Sequence, residues 1–90
     1  MKYNLYAIKD AKAEVFADIF QLPNNAIALR KFSEACTDEK SELHKYPEDF
    51  ALYLIGSYDN ETGHLSAPEQ PIEIDRAVNY VKTNTAPTIN

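Results

Sequence analysis

One run of the chain constrains its fold more than any other: Phe50-Ala51-Leu52-Tyr53-Leu54-Ile55-Gly56-Ser57-Tyr58. It is rich in β-forming residues and is bounded by Pro47 before it and by Asp59-Asn60 after it, so it reads as a central strand. Its alternation leaves apolar groups on both faces, and both must be covered. Asp59-Asn60-Glu61-Thr62-Gly63 then forms a hairpin loop, with Gly63 able to take the positive φ such loops need. His64 to Ala67 is the returning strand, cut short by Pro68 and Pro71. Gly56, inside the main strand, points to a bulge or to the close approach of another backbone.

The other segments are assigned around that strand. Tyr3 to Lys9 alternates as a second strand with apolar groups on both faces. Ala13 to Leu22 admits two readings. Val15, Phe16, Ile19 and Phe20 stand at helical spacing, which favours irregular or short helical structure, and the competing reading is a short run returning along the first strand. Pro23-Asn24-Asn25 is a helix start with an asparagine cap. From Ala26 to Cys36 the stripe Ala28, Leu29, Phe32, Ala35 and Cys36 opposes Ile27, Arg30, Lys31 and Glu34. Thr37 to Tyr46 is charged and reads as an exposed loop or a fraying helix end. Ile72-Glu73-Ile74 extends the sheet briefly. Asp75 is expected to cap a last helix through Lys82, because Ile74, Ala77, Val78 and Val81 follow helical spacing.

The expected fold is therefore an α+β single domain over residues 1–82, with a flexible tail over 83–90. Its antiparallel sheet has about three strands, helices pack on one face, and Leu5, Leu29, Phe32, Leu52, Leu54 and Ile55 form much of the core. Two helices are too few to cover two sheet faces, so a homodimer is expected to bury the second.

With 90 residues there is room for one core. The single cysteine, Cys36, cannot close an intramolecular disulfide, which suits a reducing cytoplasm. The N-terminal residues lack a signal-peptide run, and no stretch approaches the ~20 apolar residues of a membrane helix. A net charge of −5 repels a phosphate backbone at long range, so nonspecific coating of nucleic acid is not the default reading. Any binding face must be compact.

The sequence argues against catalysis, metals and cofactors. His44 and His64 have no Cys or His neighbours at metal-ligand spacing, and two glycines cannot build a phosphate loop. Asp59-Asn60-Glu61 lacks the later positions of a calcium loop, and Glu48-Asp49 reads as a solvated turn. Cys36 is expected to be a small core residue. Two features suit recognition. One is the basic set Lys9, Lys12, Arg30 and Lys31, with Arg30 and Lys31 on the outward side of the best helix, where they can serve as phosphate contacts or as ordinary surface charges. The other is the tyrosines of the strands, Tyr3, Tyr6, Tyr53 and Tyr58, which can stack unpaired bases or fill a core. Simple alternation puts Tyr53 and Tyr58 on opposite faces.

Three blocks carry a resemblance. They are Asp10-Ala11-Lys12-Ala13 with Phe16 and Phe20, Asn25-Ala26-Ile27-Ala28-Leu29-Arg30-Lys31-Phe32, and Pro47-Glu48-Asp49-Phe50 through Asp59. In that order the chain resembles, from about Tyr3 to Val81, the small nonstructural protein of gokushovirus-type microviruses, bacteriophages with single-stranded DNA genomes. The resemblance implies a protein of the bacterial host's cytoplasm that binds single-stranded DNA, or assists the switch to single-stranded genome synthesis and packaging. The alternative is an adaptor acting on a phage or host replication protein without touching DNA. The candidate DNA-binding residues are Arg30, Lys31, Lys12, Lys9 and Tyr53.

Overall fold

The computed structural model describes residues 1–81; Lys82 and the tail expected over 83–90 lie outside the described residues. The strands are β1 (Lys2–Asp10), β2 (Val15–Phe16), β3 (Phe20–Leu22), β4 (Phe50–Asp59), β5 (His64–Ser66) and β6 (Ile72–Arg76), and the helices are α1 (Asn25–Thr37) and the single turn α2 (Glu42–Lys45). All strand pairs are antiparallel. β1 and β4 form the long central pair. β2 and β3 both line the free side of β1, one after the other, and β5 and β6 likewise share the free side of β4.

This corrects the expected α+β architecture of about three strands under several helices. Six strands form the sheet among the described residues, and α1 is the one helix longer than a single turn. The segment after Phe16 takes the competing reading and returns along β1, with Asn4 opposite Leu22 and Tyr6 opposite Phe20. The expected helix from Asp75 is instead the end of β6 followed by a 3₁₀ turn over Ala77–Asn79. Pairing with β4 holds the backbone extended as far as Arg76. The Asp75 carboxylate then accepts from the Arg76 amide (2.8 Å), Asn79 Nδ2 (2.5 Å) and the Tyr80 hydroxyl (2.6 Å). It closes a turn, not a helix.

α1 forms where its pattern says it should. Asn24 Oδ1 accepts from the Ile27 amide at 2.9 Å, satisfying a first-turn donor, and Ala28, Phe32 and Cys36 put one stripe into the core. That stripe meets Tyr6, Leu52 and Ala77, with Ile8, Phe20, Leu22, Leu54 and Ile74 packed around them. Of the expected core, Phe32 and Leu52 are buried, and Leu5, Leu29, Leu54 and Ile55 are half-buried. The Tyr6 hydroxyl, inside this layer, donates to Asn25 Oδ1 (2.5 Å) and accepts from Asn4 Nδ2 (2.9 Å), tying β1 to the first turn of α1. At the other end of α1 the His44 ring lies 3.0 Å from the Cys36 carbonyl, so Nδ1–H donates to one of the helix's unpaired oxygens.

Gly56 meets both of its expectations. The register between β1 and β4 slips at Ile55, and a Cβ at Gly56 would lie 2.4 Å from the Ser66 carbonyl oxygen of β5. Gly63 has φ +76° and its amide donates to the Asp59 carbonyl at 2.7 Å, closing the hairpin as expected.

Candidate nucleic-acid interface

α1 covers one face of the sheet, and the register dictates what the other face carries. Side chains alternate along a strand, and direct antiparallel partners share a face. Tyr3, Leu5, Ala7 and Lys9 therefore point away from α1. Their partners build four rows across the sheet: Phe16–Lys9–Ala51–Arg76, Ala7–Tyr53–Glu73, Gln21–Leu5–Gly56, and Tyr3–Tyr58–Leu65. The bulge at Ile55 inserts one extra residue, so Tyr53 and Tyr58 lie on the same face. This corrects the alternation argument, which had separated them.

At the Lys9 end the rows form an aromatic platform with cations around it. Phe16 and Tyr53 meet edge to face, with centroids 5.3 Å apart and planes at 80°. The Lys9 ammonium sits over both rings, 5.5 Å from Phe16 and 6.0 Å from Tyr53. Phe16 is 41 % exposed and Tyr53 half-buried. Tyr53 donates a long hydrogen bond of 3.4 Å to Glu73. Burial first, then the charge and hydrogen bond of Glu73, raise the Tyr53 phenol above its ordinary value, with Arg76 pulling the other way. The far end, Tyr3, Leu5, Tyr58 and Leu65, has no Lys or Arg in its rows, and Leu65 is 65 % exposed.

Of the five residues singled out in the sequence, Lys9 and Tyr53 come together here. Lys12 lies in the turn after β1, its amide held by Asp10 Oδ1 at 3.0 Å, beside a groove of about 320 Å³ lined by Asp10, Lys12, Glu42, Tyr46, Asp49 and Phe50. Arg30 and Lys31 are exposed on α1 and so belong to the layer on the opposite side of the sheet. They do not join Lys9 and Tyr53 in one patch. Phe16 and Arg76 were not singled out, although each is the strand neighbour, direct or once removed, of a residue that was. Recognising β2 as a strand, and following β6 past Ile74 to Arg76, would have found them.

Cys36 and His44 are committed to structure. Cys36 is fully buried, and burial, followed by the charge of Asp75, pushes its thiol up to about 11, where it is protonated and inert at neutral pH. His44 caps α1, and His64 is exposed on β5. Among the described residues no group of three or more His, Cys, Asp or Glu side chains converges as a metal site would need, and no helix is long and apolar enough to cross a membrane.

Comparison with known proteins fits the order of blocks in the sequence. The family described as "Phage ORF5 protein" matches residues 3–80. The chain belongs to the phage ORF5 protein family. It is 37% identical over 64 residues to "Protein ORF5" of Chlamydia phage 1, covering 67% of each chain. These matches bear out the resemblance to the small protein of gokushovirus-type microviruses. No solved structure matches the chain.

Proposed function

We propose that this phage protein is a non-enzymatic nonstructural factor of the host cytoplasm. In this reading it binds single-stranded DNA on the helix-free face of its sheet and assists the switch to single-stranded genome synthesis or packaging. The observation that carries the proposal is the uncovered Phe16–Tyr53 pair with Lys9 above it and Arg76 in the same row. Unpaired bases stack on such rings whatever their sequence, while the cations take the backbone. Duplex DNA keeps its bases stacked inside and gains only the cation contacts, so the site favours single strands.

The test is a fluorescence titration of the full chain with single- and double-stranded oligonucleotides at two salt concentrations, comparing the native protein with Lys9→Ala, Tyr53→Ala and Arg30→Ala. The expected result is single-strand binding that Tyr53→Ala and Lys9→Ala weaken and Arg30→Ala leaves in place. Loss of binding in Arg30→Ala alone moves the site to the α1 layer. No binding at low salt removes the DNA reading and leaves the adaptor, which the charge of −5 favours.

The end of the same face whose rows carry no Lys or Arg takes a second copy of this chain. A two-fold pairing sets Tyr3, Leu5, Tyr58 and Leu65 against their own counterparts and leaves the two Lys9 ends free at opposite poles.

A further inference from the structure

We infer that the site discriminates among bases: Glu73 makes it favour a base with donors on its Watson–Crick edge, guanine above all, over thymine. This rests on the single-stranded DNA reading. Ala51, buried, is the small residue between Lys9 and Arg76 in the first row. It leaves a trough with a cavity of about 80 Å³ between Lys9 on one side and Glu73 and Arg76 on the other, with Tyr53, Glu48 and Asp49 also in its lining. A space of that size admits the edge of a base while its ring stacks on the platform outside. Lys9 holds the stacking position in the free protein, 5.5 and 6.0 Å above the two rings. Stacking of a base is stronger than an exposed cation–π contact, so the base displaces the ammonium, which is then free to meet a phosphate.

Glu73 sits directly across from Tyr53, its carboxylate 3.4 Å from the phenol oxygen, at the rim of the platform. An ionised carboxylate only accepts hydrogen bonds. Guanine offers N1–H and the N2 amino group side by side, which matches the two oxygens of the carboxylate. Cytosine and adenine each offer one amino group. Thymine offers a single N3–H flanked by two carbonyl oxygens, and those face the carboxylate with like polarity. A well-placed pair of this kind discriminates by roughly tenfold or more, and the exposed position of Glu73 sets the expectation at the low end, about tenfold.

The experiment measures the anisotropy of the full chain with short oligo-dT and with the same oligomer bearing one central dG. Native protein should bind the dG oligomer about tenfold more tightly. Glu73→Gln, whose amide donates as well as accepts, should bind both with nearly equal affinity, and its circular dichroism should be unchanged because Glu73 is exposed. Equal binding of the two oligomers by the native protein overturns the inference and leaves the single-stranded DNA reading standing. A preference that survives in Glu73→Gln also overturns it. If neither oligomer binds, the DNA reading itself falls.

Discussion

Replacing Tyr6 by Phe tests how α1 is held to the sheet. Tyr6 is fully buried, stacks on Phe20 with centroids 6.0 Å apart, and uses its hydroxyl in two hydrogen bonds, to Asn25 and from Asn4. Phenylalanine keeps the ring and the stacking and removes only the oxygen. Asn25 is exposed and Asn4 half-buried, so water can replace the lost partner on each. The cost is then the net worth of two hydrogen bonds, about 1–2 kcal/mol, and not the larger penalty of stranded buried groups. For a domain of this size that lowers Tm by roughly 5–15 °C. Urea denaturation at fixed protein concentration should show a lower midpoint with unchanged m. A double-mutant cycle with Asn25→Ala isolates the tether, and a coupling of about 1 kcal/mol is expected. A loss below about 0.5 kcal/mol, or zero coupling, would refute the claim that this bond joins β1 to α1. Oligonucleotide affinity should not change, since Tyr6 faces α1.

Gly56→Ala forces its new Cβ, 2.4 Å from the Ser66 carbonyl oxygen, against backbone; β5, paired over only three positions, should give way at a cost of about 1–3 kcal/mol. Hydrogen exchange should show lost protection at His64–Ser66 with α1 unaffected, and unchanged protection at β5 would contradict the contact. Burial opposes ionisation of Asp75, but the hydrogen bonds from Tyr80, Asn79 and the Arg76 amide outweigh it and hold its pKa below the ordinary value, while the Asp75 hydrogen bond first, and burial second, push Tyr80 up to about 12. The Asp75 contribution is present above the unfolded carboxyl pKa of about 3.9 and is lost as pH falls through the lower folded value. The Tyr80 contribution is present below about pH 10 and is lost as pH rises toward about 12. Tyr80→Phe should narrow the stable range at its acid edge, and an acid midpoint equal to the native one would sink this assignment. Light scattering at micromolar concentration should give about twice the 10.2 kDa chain mass, falling to the chain mass in Leu65→Glu; a native monomer would remove the homodimer.

The parts legible in the sequence were those whose pattern reports burial directly. α1 shows its stripe and its asparagine cap, and β4 shows an apolar run too short and too β-branched or aromatic to be anything but a strand. β2 and β3 were hidden because Val15, Phe16 and Ile19, which suggested a helical stripe, are 53 %, 41 % and 58 % exposed; their spacing marks no buried side at all. The last segment misled for a different reason. Ile74 and Ala77 do both reach the core, but through a bulged strand and a tight turn, while Val78 is 39 % exposed. The same three-residue spacing served two backbones. Tyr53 and Lys9 were each visible as candidates, yet only the register brings them together, and register is set by long-range pairing that composition does not encode. Gly56 did signal a bulge, and one inserted residue was enough to move Tyr58 to the face of Tyr53.

An acidic chain and a nucleic-acid face are compatible if the binding energy comes from stacking and not from charge. A helix of thirteen residues is about 20 Å long, against roughly 33 Å for the ten residues of β4, so α1 spans only part of one face and none of the other. The face left open is aromatic, and exposed aromatic sheet surface invites association. A net charge of −5 counters that by mutual repulsion, and the same repulsion weakens long-range attraction to phosphate. What is left to hold a single strand is short-range contact at Phe16 and Tyr53, with Lys9 and Arg76 as the two cations in reach. Each phosphate contact on a single strand contributes a salt slope of roughly −0.7, so two give about −1.4. A measured slope near that value fits a strand seated on the helix-free face alone. A slope steeper than about −3 requires more than four contacts, which only a strand wrapping the molecule to reach Arg30 and Lys31 could make, and it would return the α1 layer to the binding site.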